Sequence, residues 1–198
     1  MCKFQTLAAA VALSAMAVMA HAEGHASGWT LDPALSNVSY GSIKNDYTGE
    51  SNTFGDIRGT VTADGVVTIS IDLSSVQTSI DIRNERMIEH VFQNGPTATV
   101  TAKLDMATLA DLEAGEATTL ETSGTLNLIG IETDLDAALF VMRLSADKVL
   151  VTTDGMIMLS TEDAGLDLGI DMLQELAGLD SITRVSPVTM RLVFDAGS

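Results

Sequence analysis

The stretch Asp64-Gly65-Val66-Val67-Thr68-Ile69-Ser70-Ile71-Asp72-Leu73 combines a turn signal with strict alternation. Val67, Ile69, Ile71 and Leu73 fall on one face, Thr68, Ser70 and Asp72 on the other. A period of two means a β-strand with one side against an apolar interior. Asp-Gly between two such runs is the strongest local hairpin signal, because glycine supplies the positive φ that the turn needs. The preceding run, Thr60–Ala63, is then the partner strand.

The same period recurs along the chain. Ala98, Val100, Ala102 and Leu104 alternate with Thr97, Thr99, Thr101 and Lys103. Leu135, Ala137, Leu139 and Val141 form a third set, and Val188, Met190, Leu192 and Phe194 a fourth. Asp154-Gly155 stands as a second turn signal between Val149–Thr153 and Met156–Ser160. Eight strands are predicted: Val38–Ile43, Phe54–Ala63, Val66–Leu73, Thr97–Leu104, Thr122–Leu128, Leu135–Leu144, Val149–Leu159 and Val188–Phe194. The class is all-β and antiparallel, a barrel or a sandwich.

Three segments change period. Asn84–Gln93 carries Met87, Ile88, Val91 and Phe92 at helical spacing, Met106–Leu112 allows one or two turns, and Gly165–Leu179 spaces Leu168, Met172, Leu173, Leu176 and Leu179 as a helix. All are too short for a second domain and are expected as lids on the β framework.

The N-terminus reads differently. Met1-Cys2-Lys3, an apolar run from Leu7 to Ala20 and the Ala20-His21-Ala22 site make residues 1–22 a secretory signal peptide. The run is shorter than the roughly 20 residues of a membrane span. Residues 23–28 are a flexible leader and 29–195 the folded domain, exported to the periplasm. Cleavage removes Cys2, so the mature chain has no cysteine and relies on its own core rather than on disulfides.

The chain holds 27 acids against 10 bases, a net charge of −17 over 198 residues. Loss of Lys3 takes it to −18. Such a surface repels phosphate backbones and anionic membranes, which excludes nucleic acid as a partner class. Nucleotide-binding, nucleophile-elbow and zinc-protease motifs are missing, and two histidines remain after cleavage, His25 and His90. No catalytic residue is assigned and the protein is read as a non-enzyme. His90 and the sets Asp134/Asp136 and Asp163/Asp167/Asp171 are better read as solvated surface than as a metal or hydrolytic site. The sharper alternative is the mature N-terminus: Glu23-Gly24-His25 could wrap copper(II) or nickel(II) through the amine, two amides and the His25 imidazole.

Several spaced motifs resemble the YceI family of exported, lipocalin-like proteins. They are Trp29-x-x-Asp32-Pro33-x-x-Ser36-x-Val38-x-Tyr40, Phe54-x-x-Ile57-x-Gly59 and Ser74-Ser75-Val76-x-Thr78 with Arg83-Asn84-x-x-Met87. Gly124-x-Leu126-x-Leu128-x-Gly130-Ile131-x-Thr133 and Leu168-Gly169-Ile170 follow in the same order. Asn84, in place of the usual acid, and the leucine-rich Gly165–Leu179 depart from the pattern.

The resemblance implies a lipocalin-like barrel that holds a long-chain isoprenoid or similar amphiphilic lipid, with no cofactor required. A polyisoprenoid, a quinone or a fatty lipid would be the occupant. It also implies an alternative, a quinone-binding or redox and metal-stress accessory working with a membrane cytochrome, and a homodimer as the assembly. Scarce aromatics and small aliphatic walls suit a tubular cavity, with Met87, Met142, Met156, Met158 and Met172 as flexible lining. The expected ligand contacts are Tyr40, Phe54, Met87, Val91, Phe92, Val100, Ala102, Leu126, Leu128, Met142, Leu168 and Ile170. Arg83, beside the first lid, is a head-group contact or a structural ion pair, the second being favoured.

Overall fold

The computed structural model describes residues 28–197, so the signal peptide expected over residues 1–22 and the Glu23-Gly24-His25 motif lie outside the described residues. Twelve strands form one sheet. They are β1 (Trp29–Leu31), β2 (Asn37–Lys44), β3 (Thr48–Phe54), β4 (Ile57–Val61), β5 (Val66–Asp72) and β6 (Val76–Gln77). After them come β7 (Thr97–Lys103), β8 (Ala117–Leu128), β9 (Ile131–Ser145), β10 (Lys148–Thr153), β11 (Ile157–Ser160) and β12 (Val185–Ala196). Each pairs antiparallel with its neighbour. The order β1-β4-β5-β7-β8-β9-β10-β12 returns to β1 through Trp29–Leu31 against Phe194–Ala196, which closes an eight-stranded barrel. Closure removes the exposed sheet edges that an open sheet leaves free to pair.

The remaining strands lengthen this barrel at one end. β2 continues β1, β3 precedes β4 in the same row, β6 follows β5, and β11 follows β10. The eight runs read from the sequence are therefore the eight rows of an up-and-down meander. The Asp64-Gly65 hairpin is present: Ile57–Val61 pairs with Val67–Ile71, and Gly65 has φ +87°.

Asp154-Gly155, expected as a second turn, does not reverse the chain. β10 and β11 pair in the same direction with successive halves of β12, so the turn residues form a jog within one row.

All three helical segments are present. α1 (Asp81–Arg86) runs directly into a π-turn over Met87–Val91, α2 is Met106–Ala110, and α3 is Asp167–Ala177. The Asp105 side chain caps α2 by accepting from the Ala107 amide at 3.0 Å. The α1–π segment and α3 pack on each other across the extended end of the barrel, and α2 lies at the other. At Gly169 the α3 backbone touches the π-turn: an added Cβ would overlap the His90 carbonyl oxygen and the Val91 Cα. Only glycine permits that approach.

Candidate functional site

The barrel is hollow. A continuous cavity of about 910 Å³ runs through it and is lined from every row. This lies at the upper end of the volumes at which proteins hold small molecules, roughly 300–1,000 Å³. Its walls are the alternating positions already named. Val67, Ile69, Ile71 and Leu73 line it together with Ala98, Val100, Ala102 and Leu104. Leu135, Ala137, Leu139 and Val141 complete the wall with Val188, Met190, Leu192 and Phe194. Pleating sends every second side chain inward, so the period of two becomes an apolar tube.

At the extended end the lining becomes aromatic and then polar. Phe54 stands 5.5 Å from Tyr40 and 5.9 Å from Phe92, centroid to centroid. Such tilted pairs fall within the favourable range for aromatic contacts. The Tyr40 hydroxyl donates to the Met87 sulfur at 3.2 Å, tying β2 to the π-turn. Burial pushes the Tyr40 phenol far up, so it stays neutral.

Along the inner face of β3, Phe54 gives way to Asn52 and then Glu50, while β2 offers Tyr40, Ser42 and Lys44. Arg83 of α1 donates to Glu50 through one terminal nitrogen and to the Thr78 carbonyl at 2.6 Å through the other. Lys44 donates to the other Glu50 oxygen at 2.8 Å. The Arg83 guanidinium, followed by Lys44, holds the Glu50 carboxyl below its ordinary value, although burial opposes it.

Asn84, the departure from the family pattern, accepts from the Thr78 hydroxyl at 2.6 Å and amide at 2.9 Å, fixing the segment that carries Arg83. Arg83 thus takes the ion-pair role. Three buried polar atoms have no partner among the described residues: Asn52 Oδ1, Arg83 Nε and Thr122 Oγ1. All three residues line the cavity.

At the opposite end Met106, Leu109 and Ala110 of α2 line the cavity with Leu112, Trp29 and Arg143. The Arg143 guanidinium lies 5.2 Å from the Trp29 ring centroid, a cation–π distance.

Ten of the twelve anticipated contacts line the cavity: Tyr40, Phe54, Met87, Val91, Phe92, Val100, Ala102, Leu126, Leu128 and Ile170. Met142 and Leu168 do not. Met142 follows the inward Val141, so the pleat turns it outward. Leu168 is 83% exposed, because α3 presents Ile170, Leu173 and Ala177 to the cavity, with Leu166 just ahead of it, and a second apolar stripe to solvent. Of the five methionines expected inside, Met87 is; Met156, Met158 and Met172 are exposed, and Met106 and Met190 line the tube instead.

Sequence reading missed Lys44, Glu50, Asn52, Trp29 and Arg143. On β3 the inward positions Glu50 and Asn52 are polar, so the alternation is present but carries no hydrophobic signal. The acidic sets are surface: Asp167 and Asp171 face Arg184, and no cluster able to hold a metal occurs among the described residues.

A closed antiparallel barrel around an apolar tube, stoppered by short helices, defines the lipocalin-like class of hollow barrels. A YceI-like domain model matches residues 29–193, and the chain belongs to that family. A polyisoprenoid-binding domain from Saccharophagus degradans, implicated in plant cell wall breakdown, is 34% identical. Its TM-score is 0.82, covering 85% of this chain and 98% of that one.

BcnA of Burkholderia cenocepacia shares the fold at 14% identity and TM-score 0.64, over 82% of this chain and 98% of that one. A mutant YCEI protein of Campylobacter jejuni shares it at 14% identity and TM-score 0.50, over 73% and 83%. Comparison with curated proteins finds no match.

Proposed function

We propose that this protein is an exported carrier that sequesters one long-chain isoprenoid or similar amphiphilic lipid in the barrel. The observation that carries the reading is the tube itself: about 910 Å³, running along the barrel between its helical lids and walled by aliphatic side chains. A chain laid along that wall leaves water, at about 0.8 kcal/mol for each CH2-sized group buried. Binding of this kind needs no catalytic group. The 34% identity to a polyisoprenoid-binding domain supports an isoprenoid as the occupant. The leader composition supports periplasmic delivery, with residues 1–22 removed.

Organic extraction of gently purified protein, followed by mass spectrometry, tests the carrier. A prenyl lipid near one per chain is expected. A quinone in its place would redirect the reading to redox work beside a membrane cytochrome. Protein that arrives empty and takes up no prenyl alcohol would overturn both.

A further inference from the structure

We propose that the lid end of the tube recognises an uncharged head group bearing a hydroxyl, with Asn52 and Arg83 as its polar contacts. This rests on the tube being a lipid cavity and adds the chemistry of the lipid's polar end. Asn52 is 4% exposed, faces the cavity from β3 directly opposite Tyr40, and leaves its side-chain oxygen without a partner. Arg83 leaves its Nε–H buried and unpartnered on the same lining, held there by its bonds to Glu50 and the Thr78 carbonyl.

A buried donor and a buried acceptor left open cost stability unless something fills them. A hydroxyl does both at once, donating to Asn52 Oδ1 and accepting from Arg83 Nε–H. An anionic head group is the wrong match. Glu50 is the one acid on the lining among the described residues; it is held ionised and already engages both Arg83 and Lys44. A diphosphate at this mouth would face that carboxylate and compete with it for Arg83 and Lys44, and of the lining cations there only Arg86, which donates to the Leu176 carbonyl at 3.3 Å, stands clear of Glu50.

Calorimetric titration of delipidated protein with geranylgeraniol, geranylgeranyl diphosphate and the hydrocarbon phytane tests the assignment. The alcohol is expected to bind about ten-fold or more tighter than either of the others, a charge-assisted hydrogen bond's contribution. Asn52→Leu should cut the alcohol's advantage over phytane several-fold, to what the Arg83 Nε–H alone supplies, and leave phytane unchanged. Glu50→Gln should raise the affinity for the diphosphate.

A diphosphate that matches or exceeds the alcohol on native protein overturns the proposal. So does an Asn52→Leu variant that weakens alcohol and hydrocarbon equally. Should that variant not fold, Asn52→Ser decides through the same alcohol-to-phytane ratio. Phytane itself carries no head group: if it fails to bind native protein the cavity reading falls, and if it binds without preference for the alcohol only the head-group assignment falls.

Discussion

Glu50 sits where the tube turns polar, its side chain 21% exposed between Arg83 and Lys44. Its pKa is lowered in the folded chain, so the ion pair stabilises the fold above the ordinary carboxylate value. That stabilisation fades as pH falls through the lowered pKa. Glu50→Gln removes the anion and leaves the half-buried Arg83 uncompensated, at a cost of about 1–2 kcal/mol near neutrality. The gap between native and variant should close on acidification, and melts taken between about pH 7 and about pH 3 check it. A gap that stays constant with pH would show that the pair contributes nothing.

Deeper in the tube, Ala102 and Ala137 are small inward residues on β7 and β9. Ala102→Trp should fill the tube and reduce uptake of a prenyl alcohol about ten-fold or more, with the fold retained, since the space is empty rather than packed. Binding of the alcohol by this variant at native affinity would place the chain elsewhere. These inward alanines were legible in the sequence because period two assigns a face to each residue of a regular strand. Met142 was not, since an apolar residue next to an inward one looks the same in composition and differs only in parity.

Among the elements, β7, β9 and β12 could be read directly, whereas β3 could not, its inner face being Glu50, Asn52 and Phe54. Hydrophobic alternation marks a strand only where the cavity wants hydrocarbon, so the strand that carries the head-group chemistry is the one composition hides. Helix α3 fails in the opposite way: it has two apolar stripes, and the barrel wall on which it docks decides which faces inward. That docking is set by the π-turn, against which Gly169 lies backbone to backbone.

The two lids therefore act as one latch. Gly169→Ala must separate them by the width of a methyl group, costing about 1–3 kcal/mol as overpacking. It should also speed ligand exchange, because Val91, Phe92 and Ile170 close that end of the tube. Stopped-flow displacement of a bound prenyl alcohol reads the exchange. An unchanged off-rate in a folded Gly169→Ala protein would mean that the chain leaves under α2 instead.

On the scale of the whole molecule, a tube of about 910 Å³ is a stability deficit as well as a site. Side chains facing it lack dispersion partners on one side, contacts that a close-packed interior would supply. A lipid restores them and binds only the folded chain, so loading stabilises by mass action. At a free concentration 100 times Kd the shift is about 2.7 kcal/mol. For a domain of this size that is about 5–11 °C in Tm.

The chain's one tryptophan, Trp29, lines the α2 end under Arg143, at the opposite end from the head-group residues. A chain long enough to traverse the tube must reach it, and one that ends midway must not. Titration with prenyl alcohols of increasing length should therefore give Tm shifts that grow with each isoprene unit, since each adds buried area. Emission from Trp29 should respond only above a threshold length. Emission that changes equally for the shortest and longest alcohols would show that the ligand enters from the α2 end, or that the head group is not held beneath the α1–α3 lids.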